Sequence, residues 1–161
     1  MEGLTRGGLE ASIRMGEMAV HGQGGVLRTL LGSCVGVALY DRRLRIGGLA
    51  HIVLPQARGQ PEMPGKFVDT AIPALMQQME SLVGQPLRLS ARIAGGASMF
   101  SNAVMVNIGM QNIESCEKLL REFRIPIVAR HCGGEQGRRM RFDTGSGQVW
   151  IEVVGQSTIE L

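Results

Sequence analysis

The stretch Val26-Leu27-Arg28-Thr29-Leu30-Leu31-Gly32-Ser33-Cys34-Val35-Gly36-Val37-Ala38-Leu39-Tyr40 reads as two β-like apolar runs joined by a turn of small residues. Asp41-Arg42-Arg43 then forms a second turn, and Ile46 to Leu54 reads as a third strand, stopped by Pro55. Three short strands in close succession point to a sheet-rich fold. Cys34 sits at the first bend, a poor place for a merely structural thiol. Glycine and serine let the backbone turn sharply there and let a substrate carbonyl come close. His51, at the far end of the third strand, can return to the same point in space.

Working outward, Ile13, Met15, Met18 and Val20 predict an early strand broken at Gly16, with a turn over His21-Gly22-Gln23-Gly24-Gly25. Gln56 to Gly65 is loop. Phe67 to Val83 reads as a helix whose apolar face is Ala71, Leu75, Met79 and Leu82, with Gly84 as its C-cap. Pro73 fits if the first turn begins near Asp69 or Thr70, either of which can cap. Leu87 to Ile93 alternates as a strand and ends in Gly95-Gly96-Ala97. Val104 to Ile108 reads as another β-like run. A second helix follows from about Gln111 or Asn112, with Ile113, Cys116, Leu119, Leu120 and Phe123 on one face. Ile127 to Ala129 is a short strand, His131 to Gly137 a turn, and Met140–Phe142 with Val149–Val154 a hairpin. Strands and helices do not alternate regularly, which argues against a doubly wound parallel sheet. The expectation is an α+β fold: a layered α/β sandwich of mixed β-sheets packed face to face, with two main helices on the outside. At 161 residues the chain is expected to be one domain, 1–161, with its core over roughly 15–154.

Composition narrows the classes. The hydrophobic fraction of 44% fits a globular chain, and no run of about 18 apolar residues suggests a membrane span. The N-terminus Met1-Glu2-Gly3-Leu4-Thr5-Arg6 does not read as a secretion signal. Three widely spaced cysteines, Cys34, Cys116 and Cys132, are no disulfide framework, so a reducing cytoplasm is expected. A net charge of +3 and 4% aromatics argue against a nucleic-acid surface. The densest basic stretch, Arg138-Arg139-Met140-Arg141, reads as a solvated face or an edge strand, or else as a patch for an acidic protein surface.

Cysteine chemistry needs a thiolate, and an imidazole can supply it by taking the proton. Cys34 with His51 would then attack a carbonyl carbon, and the backbone N–H groups of Ser33 and Cys34 are candidates to hold the oxyanion. The bland alternatives are a small buried hydrophobe for Cys34 and a half-buried histidine bonded to a carbonyl for His51. No Asp or Glu stands where it would orient the imidazole; Thr29 could do so through its hydroxyl. Cys34, His51, His131 and Cys132 lack the spacing of a metal site, and neither metal nor cofactor is expected. Cys116 belongs to a helix stripe and is expected in the core, while Cys132 flanks a turn that could reach the site.

Thr29-Leu30-Leu31-Gly32-Ser33-Cys34-Val35 and Ala50-His51-Ile52-Val53-Leu54-Pro55 together resemble the signature of CheD, the chemoreceptor glutamine deamidase family of bacterial chemotaxis. Four further blocks agree in order: Ala91 to Phe100, Ile108-Gly109-Met110-Gln111-Asn112, Gly133 to Arg138, and Phe142 to Gly147. The resemblance covers roughly Met15 to Val154. It implies a Cys34–His51–Thr29 site acting as nucleophile, general base and orienter, and a fold similar to toxin-type cysteine deamidases. It implies hydrolysis of receptor glutamine side chains to glutamate with release of ammonia. The protein substrates are then methyl-accepting chemotaxis receptors. A CheC-type phosphatase is a further partner that the resemblance implies, and a chain acting mainly as an adaptor for it is the alternative. A different thiol enzyme, such as a transglutaminase or peptidase, would share the acyl step.

Overall fold

The computed structural model describes residues 10–22, 24–99 and 103–161, and the side chains among them except those of 103–107. The readings of Met1–Arg6, of Gln23 within its turn and of Phe100 within the Ala91 block lie outside the described residues. Within them the chain forms β1 (Glu10–Ser12), β2 (Met18–Gly22), β3 (Val26–Leu31), β4 (Val35–Asp41), β5 (Ile46–Ile52), α1 (Val68–Val83), β6 (Leu89–Gly95), α2 (Ala103–Glu122), β7 (Ile127–Cys132), β8 (Arg138–Asp143), β9 (Val149–Glu152) and β10 (Ile159–Glu160). One sheet has the order β1-β3-β8-β9-β10 and the other β2-β5-β4-β6-β7. Both are mixed: β1 runs parallel to β3 and β6 parallel to β7, while the other pairs are antiparallel.

The predicted α+β layering is what forms, and β4 and β5 explain why it reads so clearly. Every residue of both strands is buried. Side chains alternate along a strand, so Val35, Val37 and Leu39 of β4 join Ile72, Leu75 and Met79 of α1 in one core. Ala38 and Tyr40 join Leu27, Met140 and Phe142 of the other sheet in a second core. The second sheet is thus the middle of three layers, and a strand apolar on both faces reads as a continuous run. Gly47 and Gly48 keep the layers close. A Cβ on Gly47 would lie 2.6 Å from Phe142, and one on Gly48 2.7 Å from Leu75. Full burial of Ile72, Leu75 and Met79 contributes ~1.5–3 kcal/mol each.

Several elements depart from the expectation. Val104–Ile108 is not a strand; α2 already begins at Ala103. A short β-branched run cannot be told from a helical segment by pattern alone, and Gly109 is why the helix fits here. A Cβ on Gly109 would lie 2.6 Å from the Gly96 carbonyl oxygen, so the helix rests directly on that backbone. α1 begins at Val68 with Phe67 as an extended N-cap, and Pro73 lies inside it. Asp69 and Thr70 do not cap. The Asp69 carboxylate accepts from the Ala57 amide at 3.0 Å, and the Thr70 hydroxyl donates to the Pro64 carbonyl at 2.6 Å, so both tie down the preceding loop. Gly84 does form the left-handed C-cap, with φ 66°. The apolar stripes end early: Leu82 and Phe123 are exposed, while Val68 and Ile72 are buried instead. β7 runs on through His131 and Cys132, and β10 pairs with β9 through only two residues.

Candidate active site

Leu31 ends β3 in the first sheet, paired with Arg138, and Val35 opens β4 in the second, paired with Ile52 and Gly95. The turn Gly32-Ser33-Cys34 therefore carries the chain from one sheet to the other. Its three carbonyls are all engaged. Gly32 accepts from the Ala97 amide at 2.9 Å, Cys34 from the Gly96 amide at 2.9 Å, and Ser33 from the Asn112 side chain at 3.1 Å. The amides of Ser33 and Cys34 make no hydrogen bond to any described residue. Gly95 and Gly96 hold φ of 104° and 68°, which turns their backbone toward the Cys34 loop.

His51 pairs with Gly36, and Cys34 stands two residues before Gly36. Cys34 and His51 are thus diagonal neighbours across the β4–β5 ladder, a spacing that a long or aromatic side chain spans. Both are nearly buried between the sheets, at 7% and 3% exposure. Thr29 reaches the same place from the opposite sheet. Its alternating strand buries Leu27, Thr29 and Leu31 and exposes Arg28 and Leu30. Thr29 Oγ1 lies 2.6 Å from His51 Nδ1 and 2.5 Å from the Ile13 carbonyl oxygen. The carbonyl can only accept, so the hydroxyl proton goes to Ile13 and Oγ1 accepts from Nδ1–H. That leaves Nε2 without a proton, and it is buried with no partner among the described residues. The arrangement is a base whose free lone pair lies in the layer that holds the thiol.

Burial pushes the Cys34 thiol above its ordinary value. Burial likewise pushes His51 below 6.5, against the opposing pull of the Ile13 carbonyl and the Glu17 carboxylate. Desolvation thus disfavours the charged form of each group, the thiolate of Cys34 and the imidazolium of His51.

The other two cysteines stay away from this point. Cys116 is fully buried against the helix layer, as its stripe predicted. Cys132 packs in that same core, and burial pushes its thiol up to about 11. The turn reading that brought it to the site is thus replaced by a place on the far face of the middle sheet. His131 Nδ1 lies 2.8 Å from Arg138 Nη1. Among the described residues no cluster of three or more His, Cys, Asp or Glu side chains could hold a metal.

Arg138 is not a surface residue. It is 6% exposed, and its guanidinium donates to the carbonyls of His131, Gly133 and Gln136. β8 alternates, so only Arg139 and Arg141 face outward, and both reach Glu152 at 3.5 Å. Leu30 and Arg139, paired across β3 and β8, form a ridge between two grooves. One, of about 590 Å³, reaches Thr29 and His51; the other, of about 780 Å³, passes Gly32 and Met99.

Asn112 is the residue that sequence reasoning missed. The pattern places it at the start of a helix, yet it lies well inside α2, fully buried. A polar residue one step from the apolar stripe, three after Gly109, is the signal the sequence carries.

The family model described as "CheD chemotactic sensory transduction" matches residues 53–153. A Clostridium botulinum Eklund 17B protein named "Probable chemoreceptor glutamine deamidase CheD" is 46% identical, over 81% of this chain and 84% of its own. A Desulforamulus reducens protein of the same name is 41% identical over 94% of this chain and 95% of its own. A Clostridium botulinum Hall protein of that name is 44% identical over 81% of this chain and 84% of its own. The chain belongs to the CheD family.

Proposed function

We propose that this protein deamidates glutamine side chains of methyl-accepting chemotaxis receptors, using Cys34 as nucleophile, His51 as general base and Thr29 as the group that orients His51. The observation that carries the reading is the Thr29–His51 hydrogen bond, which leaves Nε2 bare in the layer that holds the thiol. The names of the relatives supply the substrate class.

In this reading His51 Nε2 takes the Cys34 proton as sulfur attacks the amide carbon. The oxyanion is held by the free amides at Ser33 and Cys34. The imidazolium returns its proton to the departing nitrogen, ammonia leaves, and a thioester remains. Water then gives a proton to Nε2 and attacks the thioester. Sulfur departs and recovers its proton from the imidazolium, and the side chain leaves as a carboxylic acid that gives its proton to solvent, becoming the carboxylate. No metal or cofactor enters any step. Arg139, on the ridge between the grooves, supplies positive charge for a glutamate-rich receptor helix.

The test is mass spectrometry of a receptor cytoplasmic fragment incubated with the protein and with Cys34→Ala. A gain of about one dalton at particular glutamines, seen only with the thiol present, supports the reading. No gain with any receptor tested overturns it and moves weight to the adaptor role beside a CheC-type phosphatase. Ammonia release without an added amine separates hydrolysis from transglutamination, and an unbroken substrate chain separates it from proteolysis.

A further inference from the structure

We propose that Asn112 is a positioning residue for this reaction: it orients the peptide whose N–H forms the oxyanion site, and it ties the nucleophile's turn to the strand that carries the base. The inference rests on the reading of Cys34 and His51 given above.

The Asn112 side-chain amide donates to two carbonyls, Ser33 at 3.1 Å and Val53 at 2.9 Å. Two acceptors fix which end of the amide is nitrogen. Ser33 lies beside Cys34, and Val53 follows His51 by two residues, just past the end of β5. One side chain on α2 therefore cross-links both halves of the site.

The Ser33 bond has a second consequence. The Ser33 carbonyl and the Cys34 N–H belong to one peptide unit, and the chain contains no cis peptide among the described residues. In a trans peptide these two groups point in opposite directions. Holding the carbonyl toward α2 therefore turns the Cys34 N–H away from the helix layer. That amide has no acceptor among the described residues and is free for an oxyanion. Rotation of this one peptide would bury the N–H and present a carbonyl in its place.

The helix is itself held in register. Gly109, one turn before Asn112, sits where a Cβ would lie 2.6 and 2.7 Å from the Gly96 and Ala97 carbonyl oxygens. The amides of the same two residues hold the Cys34 and Gly32 carbonyls. Asn112 is fully buried, and its Oδ1 has no partner among the described residues. An unpaired buried acceptor costs stability, so an apolar side chain would serve better if packing were all that the position required.

The experiment compares Asn112→Leu, which removes both donors at similar size, with Asn112→Ser, a smaller change for the case in which leucine prevents folding. Three quantities are read: kcat and KM on a receptor fragment, the rate and pH profile of Cys34 alkylation by iodoacetamide, and the Cys34 backbone amide resonance. Alkylation forms a carbon–sulfur bond with loss of iodide and makes no oxyanion, so it reports the thiol and not the oxyanion site. The expected result is a fall in kcat of about tenfold or more, towards the ~100-fold lost with an oxyanion donor itself. KM and the alkylation profile stay within about twofold, and the Cys34 amide resonance moves. Unchanged kcat in a folded variant, or alkylation falling in step with kcat, overturns the inference. If the unaltered protein deamidates nothing, the functional reading has failed, and the Cys34 amide resonance still decides: no movement in either variant overturns the positioning role.

Discussion

Thr29 Oγ1 and His51 Nδ1, from strands in opposite sheets, stand 2.6 Å apart in the layer between them. The hydroxyl gives its only proton to the Ile13 carbonyl and so must accept from the ring. In the proposed mechanism this threonine does what a carboxylate does in thiol and serine sites: it selects the tautomer and fixes the ring plane. It does so without adding negative charge, so it does not raise the basicity of Nε2 as a carboxylate would.

Thr29→Val keeps the shape and removes the acceptor. We expect kcat to fall by about tenfold, ~1.4 kcal/mol of barrier, with KM little changed. Thr29→Ser keeps the hydroxyl and should retain most of the rate. Equal loss in both variants would mean that packing, not the hydrogen bond, matters at this position. Steady-state deamidation of a receptor fragment checks the pair.

The acid limb of the rate profile follows from burial. In the proposed mechanism His51 acts as base only when neutral, and burial lowers its pKa from the ordinary 6.5. Activity should therefore rise with pH through an inflection below 6.5 and stay high across neutrality. Cys34 is shifted the other way, above its ordinary value. The neutral pair then persists well into the alkaline range before the thiol ionises on its own. A profile of kcat/KM from pH 4 to 10 checks this; an inflection above 6.5 on the acid side would contradict it. Stability has the same sign. The folded state disfavours protonated His51, so its contribution is present above about pH 6.5 and is lost as pH falls.

Much of this was legible in the chain. The run from Val26 to Tyr40 gave two strands and the turn between them, because an apolar stretch broken by Gly-Ser-Cys has few other readings. Cys34 and His51 followed from their places at strand ends. Thr29 was legible as a hydroxyl that could orient His51, but the geometry of that contact was not. The pairing depends on how two sheets face each other, and no local pattern records that. Val104–Ile108 misled because β-branched residues favour strands only when tertiary contacts agree, and here the helix is seated by Gly109. The burial of Arg138 beside the exposed Arg139 follows from strand alternation, which a run of like charges conceals.

Gly95 and Gly84 make a controlled comparison. Both have positive φ, 104° and 66°. Nothing stands within 4 Å of a Cβ on Gly84, whereas one on Gly95 would overlap the Cys34 carbonyl oxygen. Gly84→Ala should cost about 1 kcal/mol from backbone strain alone, lowering the melting temperature by ~2–4 °C and leaving deamidation intact. Gly95→Ala adds the collision and must displace the nucleophile's turn. It should melt lower still and lose most of its activity. Calorimetry beside the activity assay checks both, and equal effects from the two substitutions would refute the assignment of Gly95 to the site.

The basic strand β8 should divide by face. Arg138→Gln removes donors from three carbonyls around the β7–β8 turn. Losing these part-buried charged hydrogen bonds costs ~1–3 kcal/mol, so the melting temperature should drop by about 5 °C. Arg139→Gln and Arg141→Gln alter exposed ion pairs and should move stability by less than ~0.5 kcal/mol. Their effect belongs to recognition. Arg141 lies 5.5 Å from the Trp150 ring centroid as well as near Glu152, and both contacts hold it down. Arg139 lines both grooves beside the site. Arg139→Gln should therefore raise KM for an acidic receptor fragment more than Arg141→Gln does, with kcat unchanged. The difference should shrink as salt rises, because an exposed charge acts through a screened field. A KM unaffected by either substitution would remove charge steering from the account of substrate choice, and recognition would then rest on the apolar groove walls at Leu30 and Met99.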